Sequence, residues 1–73
     1  MSNILYITSK NIHEISDVEK LVNLEELYCE NNEITTISKE LVNLKELYCQ
    51  FNQLTSLPDN LYNLRILYCC MLS

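Results

Sequence analysis

Thiols are the residues of this chain best suited to chemistry, and they stand in a regular pattern. Cys29, Cys49 and Cys69 recur every 20 residues, and Cys70 follows directly. Such spacing would stack the first three on neighbouring strands ~4.8 Å apart, close enough for a disulfide by Cα distance alone. Parallel side chains would strain the S–S dihedral, so we expect reduced thiols acting as small hydrophobic residues, with a strained disulfide as the alternative.

Metal binding and catalysis have little support in the sequence. There is no C-x-x-C motif, adjacent cysteines on a strand point to opposite faces, and the single histidine, His13, stands in the least regular part of the chain. The chain has no glycine, hence no glycine-rich phosphate loop, and no cysteine stands near the histidine. Paired carboxylates such as Glu25 and Glu26 recur at surface positions, so we interpret them as solvated charges. We expect no enzyme activity, no metal and no cofactor.

The composition fits one small acidic protein. The 73 residues carry a net charge of −5, which argues against nucleic acid and anionic membranes as partners. The first residues, MSNILYITSKN, contain no long apolar run, so we expect neither a signal peptide nor a membrane span. Together with reduced cysteines, this predicts a cytoplasmic location. The acidic residues crowd the middle of the chain: Glu14, Asp17, Glu19, Glu25, Glu26, Glu30, Glu33 and Glu40.

An internal repeat of 20 residues organises the chain. Residues 21–40 read LVNLEELYCENNEITTISKE, residues 41–60 read LVNLKELYCQFNQLTSLPDN, and residues 61–73 begin again with LYNLRILYCC. The first 20 residues fit the same frame if that repeat is 22 residues long, with Lys10 at the position of Asn32. We therefore predict a single domain over residues 1–73 with about 3.5 repeats: 1–20 (atypical), 21–40, 41–60 and 61–73 (partial).

The complete repeats share one motif, L-x-x-L-x-C-x-x-N-x-[IL], from Leu24 to Ile34 and from Leu44 to Leu54. The chain therefore resembles the leucine-rich repeat family over at least residues 21–69. More loosely, the Leu-Tyr-Cys segment of its repeats is similar to the repeats of family members from bacteria and giant DNA viruses. The resemblance implies an α/β leucine-rich repeat solenoid, a right-handed superhelix with a curved parallel β-sheet on the concave face and short 3₁₀ or extended segments on the convex face.

Each repeat should contain one short strand followed by a sharp turn. Leu27 and Cys29 alternate, so both point inward from a strand over about residues 26–30, with copies at 46–50 and 66–70. A buried asparagine amide, Asn32 or Asn52, can satisfy the backbone groups of the turn. Without glycine, the turns must rely on asparagine. Leu47 should be fully buried between repeats.

The outward-facing strand residues form the candidate surface for a protein partner. Tyrosine offers rigid contact area with a polar tip, but a row of tyrosines can equally serve only to stabilise the sheet. Phe51 replaces Asn31 in the loop after its strand, and an exposed Phe is costly unless something covers it. We predict non-catalytic protein–protein interaction through this concave face. The candidate residues are Tyr6, Tyr28, Tyr48, Tyr68, Glu26, Glu30, Glu46, Gln50 and Phe51.

The carboxy-terminal end suggests an alternative function. Ile66, Cys70 and Leu72 stand where earlier repeats carry polar residues, and Met71 adds to this apolar end, whereas solenoid ends normally carry a polar cap. Either the chain is a fragment of a longer array or another chain covers this end. The alternative function is therefore a structural self-assembling unit, a homo-oligomer formed through its C-terminal edge.

Overall fold

Four short parallel strands form the framework of the protein. The structure, a computed structural model, describes residues 3–14 and 22–69. Strands β1 (Ile4–Tyr6), β2 (Glu26–Tyr28), β3 (Glu46–Tyr48) and β4 (Ile66–Tyr68) form one sheet in the order β1-β2-β3-β4. Every neighbouring pair is parallel, so after each strand the chain must return to the end of the sheet where the next strand begins. This is the curved solenoid that the repeats predict.

The strand register matches the repeat frame of the sequence. Leu5 pairs with Leu27 across the first interface, Leu27 with Leu47 across the second, and Leu47 with Leu67 across the third. The first offset is 22 residues and the others are 20, as the numbering of these pairs shows. The expected 22-residue length of the first repeat is therefore confirmed.

The strands are three residues long, shorter than the expected five. The backbone hydrogen-bond pattern of the strands ends here because asparagine side chains occupy the Cys29 carbonyl. This carbonyl accepts hydrogen bonds from Asn32 Nδ2 at 3.0 Å and from Asn52 Nδ2 at 2.9 Å. The next residues then turn, with Asn31 at a φ of 57°. Neighbouring repeats still remain joined beyond the strand, since the Cys29 N–H donates to the Tyr48 carbonyl at 2.8 Å.

Buried asparagines hold successive turns together. Asn32 Oδ1 accepts the backbone N–H groups of Lys10 at 2.9 Å and Ile12 at 3.0 Å, while its Nδ2 donates to the Ile7 carbonyl at 2.8 Å. Asn52 Oδ1 likewise accepts the Ile34 N–H at 2.9 Å. Each asparagine therefore satisfies backbone groups of its own and the preceding repeat, and the predicted role of these residues is confirmed.

The core fills the space between the sheet and the return segments of the two central repeats. Within residues 3–14 and 22–69, its nine buried apolar residues are Leu24, Leu27, Cys29, Ile34, Ile37, Leu41, Leu44, Leu47 and Cys49. The return segments are extended, with single turns such as the one closed by the Leu44 N–H donating to the Leu41 carbonyl at 3.2 Å. Over the described ranges there is no helix, which agrees with the extended segments expected on the convex face, since a 20-residue period leaves little room for a helix. Consequently, no helix in these ranges has the length and apolar character needed to cross a bilayer.

Candidate functional site

The four strand tyrosines form a continuous ladder of stacked rings on the concave face. The ring centroids of Tyr6 and Tyr28 are 4.6 Å apart, those of Tyr28 and Tyr48 are 4.5 Å apart, and those of Tyr48 and Tyr68 are 5.2 Å apart. The interplanar angles lie between 5° and 13°, so each inner ring is covered on both faces by its neighbours. The strand register imposes this stacking, because it places the four tyrosines side by side.

The inner tyrosines are tied to carboxylates on their own strands. The Tyr28 hydroxyl donates to Glu26 Oε1 at 2.9 Å, and the Tyr48 hydroxyl donates to Glu46 Oε1 at 2.8 Å. These hydrogen bonds, with some desolvation, raise the pKa of Tyr28 and of Tyr48 above the usual range, since ionisation would place a phenolate beside a carboxylate. Both hydroxyls therefore stay protonated and keep donating at physiological pH.

The next outward positions complete the polar part of the face. Glu30 Oε1 accepts a hydrogen bond from the Thr8 hydroxyl at 2.8 Å. Gln50 is half-buried, and its buried Oε1 has no hydrogen-bond partner in the described part of the chain. The structure thus brings Glu26, Glu46, Glu30 and Gln50 to the same face as the tyrosine ladder; whether any of them contacts a partner stays a prediction.

Phe51 stands out by its backbone as well as its exposure. It occupies the turn position that Ser9 and Asn31 hold in the preceding repeats, and all three have positive φ values of 57–60°. Asn tolerates this left-handed conformation, but a bulky aromatic residue does not favour it. The Phe51 side chain is also 71% exposed, at the rim where the carboxyl ends of the strands meet. The expectation that every such turn relies on a residue like Asn is therefore wrong for this repeat.

The cysteines of the described residues are free thiols inside the solenoid. Cys29 and Cys49 are fully buried, whereas Cys69 is half-buried at the end of the core. Burial raises the pKa of Cys29 to about 12 and raises the pKa of Cys49 as well, with a further contribution from Cys69 in the second case. Neutral thiols of this kind are poor nucleophiles. Over residues 3–14 and 22–69, no group of His, Cys, Asp and Glu side chains has the arrangement of a metal site.

A second row of asparagines lies at the amino-terminal ends of the strands. No role for these residues was predicted from the sequence. Asn43 Nδ2 donates to the Val22 carbonyl at 2.7 Å, and Asn63 Nδ2 donates to the Val42 carbonyl at 2.9 Å. The 20-residue recurrence of these residues was the signal that could have revealed them. They hold repeats together beside a polar groove of about 520 Å³, which is lined by Asn3, Asn23, Glu25, Asn43, Lys45 and Asn63.

The C-terminal edge differs from the interior of the solenoid. Leu67 holds the inward strand position of Leu27 and Leu47, yet it is 44% exposed while those two are fully buried. Ile66 beside it is also exposed. Three of the residues predicted for self-association, Cys70, Met71 and Leu72, lie outside the described residues.

Comparison with known proteins identifies the repeats. The model of the Leucine Rich Repeat family matches residues 23–42 and 43–64, which is more than half of the 73-residue chain. The matched segments contain β2 and β3. No curated protein and no solved structure matched the chain.

Proposed function

The chain belongs to the leucine-rich repeat family, and from this premise we propose that it is a non-catalytic interaction module that binds a protein partner through its concave face. Repeats of this family indicate protein interaction in general, and the family is typically non-enzymatic. The free, buried thiols are compatible with a reducing compartment, so we place the protein in the cytoplasm.

The observation that carries this proposal is the ladder of Tyr6, Tyr28, Tyr48 and Tyr68. It forms one aromatic strip on the side of the sheet that the core does not use, with Tyr6 and Tyr68 exposed and the inner two half-buried. The strip is rigid, because each ring is held by stacking and the inner hydroxyls are tied to carboxylates. A rigid aromatic surface loses little conformational entropy on binding, which is why tyrosine is common at binding hot spots.

Phe51 extends this surface at its rim. Its ring is 71% exposed and its backbone conformation is unfavourable, and each of these features lowers stability. A partner that covers the ring would offset the cost of exposure. We therefore assign Phe51 to the same partner-binding surface as the tyrosine ladder, together with Glu26, Glu30, Glu46 and Gln50.

The test is selection of peptides from a random library displayed on phage, followed by affinity measurement on two matched variants. Tyr48→Thr removes an inner ring and keeps a residue that favours strands. Tyr62→Thr removes the fifth tyrosine, which is 82% exposed and lies outside the ladder. We expect selected peptides to lose affinity for Tyr48→Thr and to retain it for Tyr62→Thr, with circular dichroism confirming that both variants fold. Peptides insensitive to Tyr48→Thr would contradict the proposal and leave the ladder with a purely structural role.

One observation favours a second candidate function, the self-assembling unit. Leu67 and Ile66 leave apolar surface at β4, whose outer edge has no strand partner in the described residues. An open strand edge is a template for pairing. A second copy can meet the same edge antiparallel around a two-fold axis, which closes the assembly as a dimer.

A further inference from the structure

The chemistry of the concave face indicates the kind of segment that would bind there, an inference that rests on the function proposed above. At the centre of the face, around Glu26 and Glu46, the hydroxyl donors are already used internally. Tyr28 and Tyr48 donate to Glu26 and Glu46, and Thr8 donates to Glu30. What remains for a partner at this centre is a set of acceptors: the second carboxylate oxygens and the lone pairs of the phenol oxygens. A ligand that fits must therefore bring donors.

Charge on this face points in the same direction. Glu26 and Glu46 are directly opposite each other in the register of β2 and β3, on strands ~4.8 Å apart. Like charges in such a cross-strand pair destabilise the sheet. The outward-facing residues of the four strands include no Lys or Arg. The nearby cation Lys45 pairs instead with Glu25, with Nζ 3.6 Å from Oε1.

The residues on either side of this carboxylate pair are apolar. The register aligns one row across the four strands, with Ile4 and Ile66 at the ends and Glu26 and Glu46 in the centre. Three strand spacings make this row ~14 Å long, which an extended segment of about five residues can cross. A matching segment carries positive charge at its centre and apolar side chains on both sides.

Guanidinium fits the central pair better than ammonium does. Its planar fork of five N–H donors can bridge two carboxylates, and it is more weakly hydrated than an ammonium group. The inner ring faces of the tyrosine ladder are covered, so cation–π stacking is open only on the outer faces of Tyr6 and Tyr68. The carboxylates, and not the ring faces, must therefore supply most of the attraction.

We propose that the occupant of the concave face is an extended, arginine-containing segment of a protein partner, which crosses the strands with a guanidinium at Glu26 and Glu46. The apolar neighbours of this arginine contact Ile4 and Ile66 at the ends of the row.

The test uses fluorescence anisotropy with a labelled short peptide that has two central arginines between leucines. A matched peptide carries citrulline in place of arginine, which keeps the shape and removes the charge. We expect the arginine peptide to bind and the citrulline peptide to bind more weakly. Glu26→Gln with Glu46→Gln should lower the affinity for the arginine peptide about 10- to 150-fold, the range for losing a charge-assisted contact.

A control variant of equal net charge separates this contact from general attraction. Glu40→Gln with Asp59→Asn removes two exposed carboxylates from turns away from the strands. We expect it to retain the wild-type affinity for the arginine peptide. Equal weakening in both double variants, or equal binding of the arginine and citrulline peptides, would overturn the inference.

The two proposals can fail separately. Library peptides that depend on Tyr48 but carry no arginine would preserve the interaction function and overturn the inference about the segment. A library without Tyr48-dependent peptides would overturn the function itself, and with it the inference. Library peptides enriched in arginine that lose affinity for the Glu26→Gln, Glu46→Gln variant would support both.

Discussion

At the scale of single residues, one turn position carries a residue that lowers stability and that we assign to partner binding. Ser9, Asn31 and Phe51 share a left-handed backbone conformation, and only the first two have short polar side chains. The Asn31 side chain also contacts the preceding repeat, donating from Nδ2 to the Ser9 hydroxyl at 2.8 Å. Phe51 makes the turn less stable than it needs to be, and this cost is what makes a role in binding testable.

We expect Phe51→Asn to stabilise the protein. A bulky residue in the left-handed conformation costs about 1 kcal/mol of stability, and Asn relieves this strain. Equilibrium urea denaturation should show a rise in the free energy of unfolding of that order. The control is Tyr62→Asn, which makes the same kind of change at an exposed residue without positive φ. A loss of stability in Phe51→Asn would mean that the ring packs against the protein.

At the scale of elements, each inner strand is stabilised by the repeats on both sides of it. Three of the four inward leucines in one register row show this directly, since Leu27 and Leu47 are fully buried while Leu67, on the outer strand β4, is not. Their burial therefore depends on position in the stack and not on the residue, which is the same in all three. The complete burial predicted for Leu47 is confirmed.

Leu47→Ala should cost about 2–5 kcal/mol, because it leaves a cavity between repeats. A domain of this size has a stability of only ~3–5 kcal/mol, so we expect the variant to be largely unfolded by circular dichroism. Leu67→Ala removes the same atoms from a position that is 44% exposed, and it should cost clearly less in urea denaturation. Equal costs at the two positions would show that something covers β4 in solution.

At the scale of the whole molecule, the two ends of the sheet are chemically similar but differ in what they expose. Ile4 on β1 is half-buried, whereas Ile66 on β4 is exposed together with Leu67. The net charge of −5 opposes close approach of two copies. In the self-association proposed through β4, apolar contact and pairing of strand edges would have to overcome this repulsion.

We expect sedimentation velocity to detect a dimer of the 73-residue chain at high micromolar concentration, and Ile66→Lys to shift it to monomer, because a charge at an edge strand opposes pairing. Ile4→Lys is the matched control at the opposite edge and should leave the dimer intact. A wild-type protein that stays monomeric at this concentration would contradict self-assembly, and a dimer lost only in Ile4→Lys would place the interface at β1.

The sequence by itself determined everything that follows from periodicity. The offset of 22 residues between Leu5 and Leu27, the inward direction of Leu47 and the backbone bonds of Asn32 could all be predicted, because each is a local requirement that every repeat must meet. The alignment of the tyrosines in one row could be predicted for the same reason. So does the family itself, since its motif is a pattern of types and spacings.

Only the tertiary structure decided how the side chains of adjacent repeats share their contacts. The stacked rings of Tyr28 and Tyr48, the hydroxyls already committed to Glu26 and Glu46, and the exposure of Leu67 depend on rotamers and on neighbours in space. The left-handed turn at Phe51 is inherited from the stack, which imposes on this residue the backbone that suits Asn31. A repeat pattern sets the positions, but packing between repeats sets what each position can offer to a partner.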